Sequence, residues 1–276
     1  MGKIILLDGA QGTRLWEKAG QQGVEKDPVW KYNMEHPDFV AEVAKEYAEA
    51  GSEIVCANTF GANRLAVERS SSYAASEVVE AGVRIAKEAL AGTGVKAALD
   101  IGPLSVMMEP YGDLEEDEAA EIFDEMLAAG AGAGADMVFF ETFMDVEMMR
   151  VAAESAMKYD LPVICSMTFE KGGRTMMGNR VEDIVETLAP LGIAGIGMNC
   201  SLGPAAAGEI IRQYAAATEL PLFLKPNAGL PESGEAEGAT PEGFARLVAP
   251  VLDRVTYLGG CCGTSPDFIR ELKKLI

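Results

Sequence analysis

Val255–Thr256–Tyr257–Leu258–Gly259–Gly260–Cys261–Cys262–Gly263–Thr264–Ser265–Pro266 is the stretch from which the fold can be read. It passes from a short apolar run, through a glycine turn, to a serine and a proline. An apolar run of this length that stops at glycine predicts a buried strand over Thr256–Leu258. Ser265 stands where a helix N-cap would and Pro266 where a first turn opens, so the spacing predicts a helix over Pro266–Leu275. The unit is therefore strand, turn, helix.

The same unit recurs toward the N-terminus. Strand-like runs lie at Ile4–Leu7, Ile54–Ala57, Ala97–Ile101, Met137–Phe140, Val163–Met167, Gly195–Met198 and Leu222–Leu224. Amphipathic segments lie near Phe39–Ala50, Ser72–Ala91, Glu116–Ala131, Val146–Tyr159, Val181–Ala189, Pro204–Ala217 and Pro241–Val251, with Thr240 as a further N-cap. Eight strand-then-helix units predict one domain, residues 1–276, folded as a closed parallel (β/α)8 TIM barrel; a doubly wound open sheet shares the alternation. Gly20–Asp27 and Pro231–Ala239 are expected to be loops of the barrel. The Ala/Gly-rich segment Ala128–Ala135 leaves a helix and enters a strand, the reverse of what a dinucleotide-binding glycine motif needs.

Composition narrows the function classes. A formal net charge of −20 repels nucleic acid and anionic lipid, so neither is expected as a partner. No apolar run approaches the roughly 18 residues of a membrane span, and the N-terminus lacks the pattern of a signal peptide. A cytoplasmic protein is expected. Five cysteines without an export signal are expected to stay thiols or bind metal, and a single histidine, His36, leaves cysteine as the chief soft ligand.

In a barrel, residues that follow the strands gather on the C-terminal face, where barrel enzymes place their chemistry. That rule brings Cys200, Cys261 and Cys262 to one rim, although they are far apart in the chain. Each could instead be a small buried hydrophobe, as Cys56 and Cys165 are expected to be inside their apolar runs, and Cys261–Cys262 could form a vicinal disulfide. Three thiolates suit tetrahedral zinc and leave its fourth position for a substrate thiol. A thiol of pKa about 8.5 is only a few per cent ionised at neutral pH, so ligation raises the thiolate fraction by roughly 30-fold. No catalytic side chain is then required beyond the zinc-activated substrate thiolate. Asp8 and Glu141 end the first and fourth strands; they could cap a helix or meet a surface cation, or could hold an ammonium group. Gly9 and Ala10, with Thr59, could bind the carboxylate at the other end of an amino acid. Asn58 and Asn227 read as turn residues.

Asp8–Gly9–Ala10–Gln11–Gly12–Thr13, Ala57–Asn58–Thr59–Phe60–Gly61–Ala62–Asn63, Ile101–Gly102–Pro103, Glu141–Thr142, Asn199–Cys200–Ser201 and Gly259–Gly260–Cys261–Cys262–Gly263–Thr264 together resemble the homocysteine S-methyltransferase family over essentially the whole chain. The resemblance implies a zinc-bearing barrel in which homocysteine thiolate becomes the fourth zinc ligand and accepts a methyl group, giving methionine. It assigns zinc to Cys200, Cys261 and Cys262, the substrate amine to Asp8 and Glu141, and the substrate carboxylate to Gly9, Ala10 and Thr59.

Pro226–Asn227–Ala228–Gly229–Leu230–Pro231 and Asn199–Cys200–Ser201–Leu202–Gly203–Pro204 are most similar to the homocysteine-binding module of cobalamin-dependent methionine synthase. The chain ends at Ile276 without folate, corrinoid or reactivation modules, so methylcobalamin on a separate corrinoid protein is the expected donor. Other branches of the family imply S-methylmethionine, S-adenosylmethionine or a betaine instead. A third reading is a zinc- and homocysteine-binding subunit of a corrinoid complex with no turnover of its own.

Overall fold

The computed structural model describes residues 2–229 and 236–276. Eight parallel strands form one sheet: β1 (Ile5–Leu6), β2 (Ile54–Cys56), β3 (Lys96–Ile101), β4 (Met137–Phe143), β5 (Val163–Met167), β6 (Gly195–Asn199), β7 (Leu222–Lys225) and β8 (Tyr257–Leu258). Their order is β1-β8-β7-β6-β5-β4-β3-β2. Between β1 and β2 the seam is bridged by the Glu53 N–H, which donates to the Leu6 carbonyl at 2.7 Å. The Ser52 hydroxyl adds a bond to the Leu7 carbonyl at 3.1 Å. The sheet is thus a nearly closed (β/α)8 barrel, as the strand–helix alternation predicts.

The main helices follow their strands: α1 (Gln11–Gln21) after β1, α3 (Pro37–Ala50) leading to β2, α5 (Ala75–Ala89), α6 (Glu116–Gly132), α7 (Val146–Ala156), α8 (Val181–Leu188), α9 (Pro204–Ala217), α10 (Pro241–Val248) and α11 (Pro266–Lys273). Short helices α2 (Tyr32–Glu35) and α4 (Arg64–Ser70) lie in the loops. Among the described residues no helix is long and apolar enough to cross a membrane. Proline stands in the first turn of α9, α10 and α11, and the Thr240 side chain caps α10 by accepting from the Gly243 N–H.

Several local expectations need correction. Gly20 and Gln21 belong to the last turn of α1 rather than to a loop. Ser265 makes no side-chain cap bond; its carbonyl accepts from the Phe268 N–H instead. The fourth strand runs on past Phe140 to Phe143 through a register shift, with Glu141 and Thr142 unpaired to β5 and Thr142 in the left-handed region at φ 68°. Of the expected Pro231–Ala239 loop, and of the Leu230–Pro231 motif residues, 230–235 lie outside the described residues, while Ala236–Ala239 form a 3-10 turn.

Two apolar layers hold the barrel. The larger packs the outer face of the sheet against the helices. The smaller fills the barrel interior with Leu7, Ile54, Ala98, Phe139, Ile164 and Phe223, the two phenylalanines meeting edge to face at 5.3 Å. Each fully buried side chain of this size contributes about 1.5–3 kcal/mol. Strand side chains alternate with a period of two, so the residue two places beyond each inward-facing position also faces inward, one layer nearer the C-terminal rim. Those residues are Asp100 above Ala98, Glu141 above Phe139, Ser166 above Ile164, Asn199 above Gly197 and Lys225 above Phe223. A polar, largely charged layer therefore sits directly on the apolar plug.

Candidate metal and substrate site

Above the polar layer lies a cavity of about 310 Å³, reached by the loops after the strands. Three thiols meet at its edge. The sulfurs of Cys200, Cys261 and Cys262 all lie within 4.8 Å of one another, with Cys200 Sγ 3.7 Å from Cys262 Sγ. Because β7 lies between β6 and β8, Cys200 must reach its partners across the end of β7, and backbone bonds lace the three loops together. Cys200 N–H donates to the Lys225 carbonyl, Cys261 N–H to the Pro226 carbonyl, and Ala228 N–H to the Cys262 carbonyl, at 2.8–3.0 Å.

The turns that aim the sulfurs are unusual backbone. Cys200 and Ser201 both have positive φ, 58° and 52°, a conformation that costs a non-glycine residue of order 1 kcal/mol or more. The Ser201 hydroxyl, held to the Phe169 carbonyl at 2.7 Å, helps to maintain it. Gly263 has φ +81°, and a Cβ on Gly260 would come within 2.5 Å of the Thr264 hydroxyl. Glycine at these two places lets adjacent cysteines turn toward one point. Hydrogen bonds from Cys261, then Cys262, pull the Cys200 thiol far below its ordinary pKa, and the same bonds push Cys261 and Cys262 up. The three thiols titrate together, and their donor set fits a soft metal ion.

The cavity floor is the charged layer. Lys225 Nζ lies 3.0 Å from Asp8 Oδ1 and 2.8 Å from Glu141 Oε1. The remaining Asp8 oxygen accepts from Gln11 Nε2 at 2.9 Å and from the Cys56 N–H at 2.8 Å. Asp8 is completely buried beneath the cavity wall. Asp100, 6% exposed, lines the cavity, and its Oδ1 has no hydrogen-bond partner. Burial, reinforced by the charge of Glu141, holds the Asp100 carboxyl well above the usual carboxylate range. Burial also raises Glu141, against the opposing pull of Lys225. Burial works against the charge of Lys225, yet Asp8, Cys56, Glu141 and Asp100 outweigh it and keep the ammonium pKa above its ordinary value.

Asn199 joins the two halves of the site. Its Oδ1 accepts from the Thr142 N–H and the Ser166 hydroxyl, both at 2.8 Å, and its Nδ2 donates to the Thr142 hydroxyl at 2.8 Å and approaches Glu141 Oε2 at 3.4 Å. Gly9 and Ala10 line the cavity at the start of α1. Ala10 offers α1 no side-chain cap, and the first-turn amides of a helix lack intrahelical acceptors, so positive potential faces the cavity. Thr59 has a different position from the one expected. It is fully buried, its N–H donates to the Ala57 carbonyl, and its hydroxyl donates to the Asp100 carbonyl at 2.7 Å and accepts from the Asp100 N–H at 3.1 Å. Those bonds leave it anchoring Asp100, with no hydroxyl free for a ligand.

Asn58 is a buried structural residue, donating to the Val29 carbonyl and to Asn33 Oδ1. Cys56 and Cys165 are buried, as their apolar runs predict. Sequence reasoning missed Lys225, Asp100 and Asn199. The signal was the period-two parity, which continues each apolar strand for one more inward-facing position.

A family description, Homocysteine S-methyltransferase, matches residues 5–276. The methionine synthase of Mycobacterium leprae is 28% identical over 98% of this chain and 24% of its own length; that of Mycobacterium tuberculosis is 27% identical over the same shares. The chain thus spans about a quarter of the length of these relatives. Among solved structures, the homocysteine methyltransferase MmuM of Escherichia coli superposes in its oxidised form with a TM-score of 0.81 at 24% identity, covering 98% of this chain and 95% of that one. Its metallated form gives 0.79 at 23% identity, covering 99% and 96%. With a match that runs from the first strand to the last residue and includes all three clustered cysteines, the chain belongs to the homocysteine S-methyltransferase family.

Proposed function

We propose that this chain methylates the sulfur of homocysteine to give methionine, with zinc held by Cys200, Cys261 and Cys262. The observation that carries the reading is the convergence of three thiols from two loops on a cavity that also holds buried carboxyls and an uncapped helix N-terminus. A tetrahedral zinc with Zn–S of about 2.3 Å separates its sulfurs by about 3.8 Å, and the Cys200–Cys262 spacing of 3.7 Å agrees with that. When bound, zinc supplies the positive charge that keeps an incoming thiol ionised at neutral pH.

The chain's own residues bind and orient the substrate. The amides of Gly9 and the first turn of α1 face the carboxylate, while the Ala10 N–H is held by Thr264 Oγ1 at 3.2 Å and fixes the turn. The acid layer, with Glu141 at the cavity and Asp8 behind it, draws the ammonium group to the opposite side. Thr59 serves this end through the Asp100 backbone. The methyl donor is methylcobalamin on a separate corrinoid protein, a reading that rests on the sequence likeness of 199–204 and 226–231. The setting is the cytoplasm, where thiols such as these five stay reduced.

The test is metal analysis of the reduced protein, followed by assay for methionine from homocysteine with free methylcobalamin, S-methylmethionine, S-adenosylmethionine or a betaine. Zinc with turnover from methylcobalamin supports the proposal. Turnover from a small-molecule donor alone overturns the corrinoid part. Zinc and homocysteine binding without turnover from any donor favours a binding subunit.

A further inference from the structure

We propose that the substrate's ammonium group is received by Asp100 together with Glu141, and that Asp8 holds an internal cation, Lys225, in place of the substrate. The inference rests on the reading of the cavity as a homocysteine site and changes which residue recognises the amine.

An ammonium group needs acceptors that are within reach and keep an oxygen free of a short donor, as Glu141 does at Oε2, which only Asn199 Nδ2 approaches, at 3.4 Å. Asp8 meets neither requirement. It is 0% exposed, one oxygen is engaged by Lys225, and the other takes two donors, Gln11 Nε2 and the Cys56 N–H. Lys225 Nζ already stands where an ammonium bridging Asp8 and Glu141 would sit. Asp100 meets both requirements: it lines the cavity beside Glu141, and its Oδ1 is buried without a partner. Its backbone is fixed on both sides by the Thr59 hydroxyl, so the carboxyl is held in place before a ligand arrives.

The charge count points the same way. Three buried carboxyls, Asp8, Asp100 and Glu141, face one ammonium, Lys225. A buried carboxylate is stable only when paired or hydrogen-bonded, and otherwise takes up a proton. Lys225 already serves Asp8 and Glu141, so in the ligand-free site Asp100 is left without a cation, and an α-ammonium is a cation of the right chemistry. Substrates must then be thiols that carry a free amino group; a thiol with only the carboxylate would leave Asp100 unpaired.

Asp100→Asn, which keeps the shape, is compared with the unaltered protein for zinc content, melting temperature without ligand, and affinity for homocysteine and for its desamino analogue, 4-mercaptobutanoate. The expected result is full zinc uptake, a melting temperature at or above that of the unaltered protein, and homocysteine affinity weakened by roughly 10- to 100-fold, the loss of a charged hydrogen bond. Affinity for 4-mercaptobutanoate stays unchanged. Asp8→Asn, acting through Lys225, is expected to lower the melting temperature and weaken both ligands alike. Unchanged homocysteine affinity in Asp100→Asn, equal losses for both ligands, or a variant that fails to fold would each overturn the assignment. If the unaltered protein itself binds no homocysteine, the proposed function falls first and takes this assignment with it.

Discussion

Lys225 and Asp8 form an ion pair, Nζ to Oδ1 at 3.0 Å, with side chains 4% and 0% exposed. Such a pair gains little over an apolar core, but removing one partner strands the other, at a cost of about 3–5 kcal/mol. Lys225→Met should lower the unfolding free energy by about that amount in urea titration. A double variant, Lys225→Met with Asp8→Asn, should recover part of the loss, because no unpaired charge then remains on Asp8.

The direction of the Asp100 shift sets a pH dependence. Its folded pKa lies above the unfolded value, so the folded state binds more protons and stability falls as pH rises through that window. The penalty is absent below about pH 3.9 and grows above it. Glu141 shifts in the same direction. Without ligand, Asp100→Asn should therefore gain stability over the unaltered protein as pH rises from about 4, measured by urea midpoints. Lys225 is raised, so its contribution is complete below about pH 10.4 and is lost only as pH rises toward its folded value.

Gly263 gives a prediction about the metal that removes no ligand. Its φ is +81°, and a Cβ there would lie 3.1 Å from the Ala228 Cβ. A β-branched residue adds strain of about 1–3 kcal/mol, so Gly263→Val should weaken zinc affinity by roughly tenfold or more. Competition with a chromogenic chelator measures this. An unchanged affinity would show that the turn does not aim the two cysteines.

Asn199 connects Glu141, Thr142 and Ser166 directly beneath Cys200. Asn199→Leu leaves the Thr142 N–H and the Ser166 hydroxyl without their shared acceptor. A loss of about 2 kcal/mol is expected, together with weaker binding of homocysteine. Urea titration and ligand calorimetry on the same samples check both effects.

Much of this arrangement was legible in the chain. The strand from Val163 to Met167 and the helix from Pro204 to Ala217 begin and end where the apolar runs and the proline place them. Helix α1 was not legible. Its sequence, Gln11–Gln21, includes two glycines and buries only Leu15 and Ala19, so its start reads as a turn and its end as a loop. Lys225 and Asp100 were hidden for another reason. In sequence Lys225 marks where the run Leu222–Leu224 stops and Asp100 is a lone acid inside Ala97–Ile101, and only barrel closure brings Asp8, Asp100 and Glu141 around one ammonium. The cysteines were legible because each ends a strand beside a turn, and the barrel rule gathers such positions on one rim.

The most direct test of the central claim is X-ray absorption at the zinc edge of the reduced, zinc-loaded protein, before and after homocysteine is added. The account predicts three sulfurs at about 2.3 Å without ligand and four with it. A count that stays the same on adding homocysteine, or a metal without three sulfur neighbours in the free protein, would contradict it.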